Sequence, residues 1–246
     1  MRLSELTIME SKEAMRLIPE GKKLINTINA HSFNIAQKDC LFAEALTKGD
    51  YLIPDGSSIV MACKYLRAKS QPKERIAGWN LFMFEMQRLD SKSAMRKATE
   101  RKPRVMFVGS SEKVLENIKK RAMTDFQNLE IVTYSPPFKS VFTEEDNANI
   151  ICSINKANPD LLWIGMTAPK QEKWTYQHWN ELKINCHVGT IGAVFDFYAG
   201  TVKRAPLWCQ NHALEWLYRL LNEPKRMWKR YIIGNPLFIW YIMREL

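Results

Sequence analysis

PDLLWIGMTAPKQEKWTYQHWNELKINCHVGTIGAVFDFYAGTVKRAP, residues 159–206, is the stretch whose reading decides the fold. Leu161 to Ile164 is an apolar run of strand length that breaks at Gly165. Pro169 stands where a helix can begin, with Lys170, Gln171 and Glu172 in its first turn, and the spacing carries that helix over Trp174 to Leu182. A second short strand is predicted near Ile184 to Val188, running into a turn over Gly189 to Gly192 and then Phe195-Asp196-Phe197. Two strand ends and a helix N-terminus therefore converge. In open parallel sheets, ligands sit at such carboxyl ends. Ordinary βα connections would look the same, since fold alone does not fix function.

Upstream, the same alternation repeats. Lys22 to Asn29 reads as a first strand, with Thr27 and Asn29 near its carboxyl end. Ser32 is then the expected N-cap of one helix carrying Phe33 through Leu46, closed by Gly49. Tyr51 to Ile53 forms a brief strand that delivers Pro54-Asp55-Gly56-Ser57-Ser58. At a strand end between Pro and Gly, Asp55 suits either a cleft-facing acid or a turn residue capping a helix that begins near Ser57. Gly78 to Leu89 reads as a helix with Met83 and Met86 as core filler, and Asp90 to Lys102 as a charged connector. Arg104 to Val108 is a strand ending in Gly109-Ser110-Ser111-Glu112 before a helix through Arg121. Backbone N–H groups there can hold a phosphate, although the full GxGxxG fingerprint is absent. A strand over Leu129 to Tyr134 and a helix over Thr143 to Asn158 complete the series. The fold class is α/β, a Rossmann-like parallel sheet flanked by helices.

Composition narrows the partners. A chain of 246 residues with 46% apolar and 25% charged residues can bury a sizeable core. Its net charge of +10 favours an anionic partner: nucleic acid, an acidic membrane surface or a phosphorylated substrate. The five cysteines form no CxxC pair and the four histidines have no ligand spacing, so no metal site and no disulfide framework are expected. Neither a secretory signal nor an apolar run of the ~18 residues needed to span a bilayer is visible. That points to a reducing, cytoplasmic setting.

The composition changes at Lys203. Residues 203–246 hold eight Lys or Arg against three Glu, a charge of +5, and four of the eight tryptophans. A helix over Leu214 to Leu221, a second from Pro224 and a third after Gly234-Asn235-Pro236 are expected. Cationic helices with Trp228, Tyr231, Phe238 and Trp240 on the other side fit an interfacial membrane segment; a helical hairpin packed on the core is the alternative. The chain thus divides into a core, 1–202, and a helical membrane-associating appendage, 203–246.

Three blocks, IGMTAPKQEKW (164–174), GAVFDFYAGTVKRAP (192–206) and LEWLYRLLNEPKRMWKRYIIGNP (214–236), resemble the signature blocks of the WecG/TagA/CpsF glycosyltransferases, glycosyltransferase family 26. The resemblance runs from about Leu24 to Pro236. It implies transfer of a sugar from a UDP-sugar donor to a polyprenyl-diphosphate-linked sugar, with inversion, without metal or cofactor, peripherally at the cytoplasmic face of the bacterial inner membrane. Asp55 falls in the Asp-Gly block of the family's presumed base and is the expected general base. Thr27, Asn29, Arg75, Asn80, Gly109, Ser110, Lys170, Gln171 and Asp196 are the expected donor- or acceptor-binding positions. The chain departs from the family at Asn80, often Asp, and at Thr167, often Gly, which leaves an acidic role at 80 and the shape of the 165–169 loop open. Lys170 at a helix N-terminus opposes the helix dipole, an arrangement an anionic ligand would relieve. Arg204, Arg219, Arg226 and Arg230 are the expected diphosphate clamps, able to replace a cation at the leaving group. Other classes fit less well. A nucleic-acid binder would need a recognition motif that is not seen, and a nicotinamide dehydrogenase would need the glycine fingerprint and its acidic partner. Self-association is left open.

Overall fold

Six strands form one sheet: β1 (Lys23–Ile28), β2 (Tyr51–Pro54), β3 (Arg104–Gly109), β4 (Glu130–Tyr134), β5 (Leu161–Gly165) and β6 (His187–Thr190). They lie in the order β2-β1-β6-β5-β3-β4, and every neighbouring pair is parallel. The structure is a computed structural model that describes residues 1–95, 101–206, 208, 209, 212 and 214–246; residues 96–100 of the charged connector lie outside them. The helices are α1 (Ala30–Ala36), α2 (Cys40–Thr47), α3 (Ser57–Tyr65), α4 (Gly78–Ala94), α5 (Glu112–Asp125), α6 (Glu144–Ala157), α7 (Lys170–Gln177), α8 (Gly192–Tyr198), α9 (Glu215–Asn222), α10 (Pro224–Trp228) and α11 (Gly234–Met243).

A parallel sheet covered on both faces needs strands apolar on both faces. Leu161, Leu162, Trp163 and Ile164 are all fully buried. Alternate residues of β3 serve opposite layers. Val105 and Phe107 join Phe82, Trp163, Phe195 and Tyr198 under α4, α5 and α8. Met106 and Val108 join Ile150, Ile154 and Trp174 under α6 and α7. A third cluster packs α1, α2 and α3 with Phe238 and Ile242 of α11. Strand order reverses between β3 and β5, since the chain leaves β3 for β4 and β5 for β6 on opposite sides. The switch point is thus at those two strand ends.

Three local expectations are corrected. The single helix expected after β1 is two, because Asn29, one residue beyond the strand, is the N-cap: its Oδ1 accepts from His31 N and Ser32 N, with Ser32 returning the bond to Asn29 N. Asp39 then caps α2 by accepting from Phe42 N. The turn predicted at Gly189 is strand, since β6 runs His187–Thr190 and Gly189 lies flat against Trp163, whose ring a Cβ would meet at 2.2 Å. Finally, Gly234-Asn235-Pro236 does not interrupt the tail. A π-helical turn over Lys229–Ile233 leads directly into α11, where Pro236 sits in the first turn and its missing N–H is harmless.

Candidate active site

The carboxyl ends of β1 and β2 open into a cavity of about 720 Å³, roofed by the tail. Asp55 N donates to the Ile28 carbonyl at 2.8 Å, which carries the β1–β2 pairing one residue further and fixes the Asp55 backbone at the rim. Ile76 N donates to Pro54 O at 3.0 Å and so pins the next loop alongside, bringing Arg75 to the same place. Arg219 of α9 and Arg230 of the π-helical turn enter from the tail. Away from this charged end, the wall is apolar: Met61, Tyr65, Phe238, Ile239, Ile242 and Met243.

Asp55 does not cap α3. The N-cap is Gly56, without a side-chain bond, so the turn reading of Asp55 is not what the fold uses. Its carboxylate lies 3.7 Å from Arg75 Nη2 and is 29% exposed. Burial raises its pKa above the ordinary carboxylate range; Arg75, Arg219 and Arg230 pull it back, and Glu215 pushes it up again. That is the usual condition of a carboxylate prepared to take a proton. Arg75 Nε and Arg230 Nε are buried with no hydrogen-bond partner. Burial lowers the pKa of Arg230, and burial followed by Arg230 pushes His31 down to about 4, leaving a neutral imidazole on the cavity wall at neutral pH.

The other expected site residues are distributed as follows. Asn29 lines the cavity but its Oδ1 is committed to the α1 cap. Thr27 is one residue short of the end of β1, paired with Ile53 and outside the cavity lining. Asn80 accepts from Ala77 N at 3.0 Å, closing the first turn of α4, and does not line the cavity. Gly109 and Ser110 are at the switch point. Gly109 has φ +119° and a Cβ there would meet the Gly165 carbonyl at 2.3 Å, while Ser110 follows at φ +58° with its carbonyl accepting from Ser135 Oγ. Ser111 caps α5, bonding Val114 N. Gln171 is buried and ties α7 to the start of α8: Nε2 donates to Glu172 at 2.8 Å and Oε1 accepts from Gly192 N at 3.1 Å.

The remaining expected residues of the core and tail have the following surroundings. The Lys170 ammonium donates to the Lys139 carbonyl at 2.5 Å and lies over the Phe142 ring. Arg226 is paired with Glu223 on the exposed side of α10, and Arg204 lies over the Trp79 ring; neither lines the cavity. Asp196 has its pKa raised by burial, with Arg226 the opposing charge. Phe238 is 5% exposed and meets Phe33 edge-on at 5.5 Å, because the core offers an apolar seat that lipid would otherwise have to supply. Tyr231 packs against Trp216 and faces the cavity. Trp228 and Trp240 are exposed.

A sequence model of the "Glycosyl transferase WecG/TagA/CpsF family" matches residues 1–246. The chain belongs to this glycosyltransferase family. It is similar to enzymes named N-acetylglucosaminyldiphosphoundecaprenol N-acetyl-beta-D-mannosaminyltransferase. That of Bacillus subtilis (strain 168) is 28% identical over 90% of this chain and 79% of the relative. That of Bacillus spizizenii (strain ATCC 23059 / NRRL B-14472 / W23) is 29% identical over 98% and 87%. That of Staphylococcus aureus (strain MW2) is 24% identical over 89% and 79%. No helix among the described residues of this WecG/TagA/CpsF glycosyltransferase is long and apolar enough to cross a membrane.

Sequence reasoning missed the glutamate and the histidine of the glycosyltransferase's cavity and most of its apolar wall. Glu215 opens α9 and is 13% exposed beside Arg75. It stands in the third signature block, LEW, which was its available signal. His31 follows the Asn29 cap and had no spacing to mark it. Met61 and Tyr65 project from α3 at helical spacing and read in sequence as ordinary packing residues.

Proposed function

We propose that this glycosyltransferase moves a hexose or N-acetylhexosamine-type sugar from a UDP-sugar to a polyprenyl-diphosphate-linked sugar, with inversion and with Asp55 as general base. The observation that carries the reading is the cavity's two-ended chemistry. Two buried guanidinium N–H groups without partners, Arg75 Nε and Arg230 Nε, stand at one end, and an apolar channel at the other. A buried donor left unpaired is costly, and a diphosphate would satisfy both. A prenyl chain would fill the apolar end.

In the proposed step the acceptor hydroxyl oxygen attacks the anomeric carbon of the donor sugar. The bond from that carbon to the diphosphate oxygen breaks, its electron pair leaves on the nucleotide diphosphate, and the hydroxyl proton passes to Asp55. Arg219 and Arg230 face the same space and offset the charge of the diphosphate bound there. The loop at Gly109 and Ser110, at the switch point, takes the nucleotide end of the donor, with Gln171 bonding Gly192 N nearby. The Bacillus and Staphylococcus relatives make N-acetylglucosaminyldiphosphoundecaprenol, by their names, the acceptor to test first, and N-acetylmannosamine the sugar. The work of such an enzyme would lie in cell-surface polysaccharide synthesis.

Residues 203–246 act here as an appendage that meets the cytoplasmic surface of the membrane. Trp228, Ile232, Ile233 and Trp240 are exposed on the tail, and Ile239 and Met243 are exposed where they also line the cavity. A lipid tail can thus pass from bilayer to channel without crossing water. Incubation with UDP-N-acetylmannosamine and a short-chain lipid-linked N-acetylglucosamine, with products followed by mass spectrometry, tests the reading. A disaccharide-diphosphate lipid of β configuration is expected. No transfer from any UDP-sugar in a panel would overturn it.

A further inference from the structure

Glu215 and Asp55 compete for one nitrogen. Arg75 Nη2 lies 2.5 Å from Glu215 Oε2 and 3.7 Å from Asp55 Oδ1. The contest is uneven: the guanidinium is in a charge-assisted hydrogen bond with Glu215 and only near Asp55. The three groups come from different parts of the fold. Asp55 follows β2, Arg75 lies in the loop before α4, and Glu215 is the first residue of α9 in the tail.

We propose that Glu215 is a positioning residue that draws the Arg75 guanidinium off Asp55, so that the carboxylate stays free to accept the substrate's proton only while α9 is seated on the core. The inference rests on Asp55 being the base. A carboxylate in a tight pair with arginine is a poor proton acceptor, its affinity for a proton falling by one to a few pH units. Without Glu215 to bond it, Nη2 would be free to close the 3.7 Å gap to Oδ1. The remaining charged groups acting on Asp55 are Arg219 of α9, Arg230 of the π-helical turn and Arg204 over the Trp79 ring, all of which favour its ionised form, and Glu215 opposes them. The neutral His31 shares the wall. One acidic residue on the tail therefore offsets several arginines that the diphosphate requires.

The test follows the Asp55 carboxyl by carbon-13 NMR, its signal assigned with Asp55→Asn, alongside the pH profile of kcat/KM. Glu215→Gln keeps the side chain's shape and loses its charge. The Asp55 midpoint and the acid limb are expected to move to lower pH by about 1 unit, with a slower plateau. In an Arg75→Gln background the same substitution should give a clearly smaller shift, because only the direct repulsion between Glu215 and Asp55 is left to lose. Should Glu215→Gln unsettle the fold, Glu215→Asp, which keeps charge and shortens reach, should give a smaller shift in the same direction. An unmoved midpoint in a folded Glu215 variant, or an equal shift with Arg75 already replaced, would overturn the proposal. Near-normal turnover of Asp55→Asn would overturn it together with the base assignment, whereas slow Asp55→Asn with an unmoved midpoint would sink the Glu215 role alone.

Discussion

Asn34 of α1 donates through Nδ2 to the carbonyl of Gly234 at 2.7 Å, joining the first helix to the last across two hundred positions. The bond is buried and stands next to the edge-on pair of Phe33 and Phe238. It is the polar seam by which the core holds the roof of its cavity.

Replacing Asn34 by Ala leaves the Gly234 carbonyl buried without that donor, at a cost of about 1–3 kcal/mol. Phe238→Ala, which empties the seat against Phe33, should cost about 3–5 kcal/mol. Hydrogen exchange should show faster opening of α11 in both variants, with β3 and β5 protected as before. Uniform loss of protection across the sheet would show that the tail is no separate unit.

Asp55→Asn should fold and bind donor normally while slowing transfer by roughly 10²–10⁴, the usual loss for a general base. Because Gly56, not Asp55, is the cap of α3, the melting temperature should hardly move. A large fall in melting temperature with little loss of rate would assign Asp55 a structural duty.

Arg230→Gln removes a guanidinium whose Nε is buried without a partner. The loss of charge-assisted bonds to a diphosphate, each about 1.5–3 kcal/mol, should cut kcat/KM by one to two orders of magnitude. With arginines supplying the positive charge, transfer should also proceed unchanged in excess chelator. Activity lost to chelator and regained with magnesium would place a metal at the leaving group.

Glu172 is buried on α7 with one carboxylate oxygen unpartnered, and burial pushes its pKa from 4.5 up to about 7. The folded protein therefore keeps this proton between those two pH values while the unfolded chain has released it. Stability from this group is present at low pH and falls as pH rises towards 7, by roughly 3 kcal/mol in all. Glu172→Gln can still accept from Gln171 and has no proton to lose. Thermal unfolding of the two proteins should give similar midpoints near pH 4.5 and a higher midpoint for the variant at pH 8. Parallel curves at every pH would contradict the assigned shift.

Trp228→Ala with Trp240→Ala should weaken flotation with anionic vesicles at low and high salt alike, since insertion is not screened. Wild-type binding should fall only partly as salt rises, each Lys or Arg near the surface being worth about 1 kcal/mol. Undiminished flotation of the double variant would move the membrane contact away from these side chains.

The sheet was legible because its signal is local. LLWIG and RVMFVG are unbroken apolar runs closed by glycine, and both are strands in the structure. The place of Asp55 between a strand end and a glycine left two readings, and the resemblance singled out Asp55, Arg219 and Arg230, all three of which line the cavity. What was hidden depends on which distant surfaces meet. Nothing around Phe238 distinguishes a ring that faces lipid from one seated on Phe33, and nothing around Lys170 announces the Lys139 carbonyl that satisfies it. Asn29 misled for a different reason: strand end, ligand position and helix cap coincide in one residue, and the cap claims its side-chain oxygen.

The strand order has a consequence for the chain as it is made. β1 and β2 emerge from the ribosome early and pair with each other, but the other edge of β1 waits for β6, more than a hundred and fifty residues later. Long-range parallel pairing of this kind is slow and leaves edges open meanwhile. The socket around Phe33 waits longer still, for α11. A nascent chain thus carries Asp55 and Arg75 well before it carries Glu215, Arg219 or Arg230, and translation must be nearly finished before the charged end of the cavity is complete.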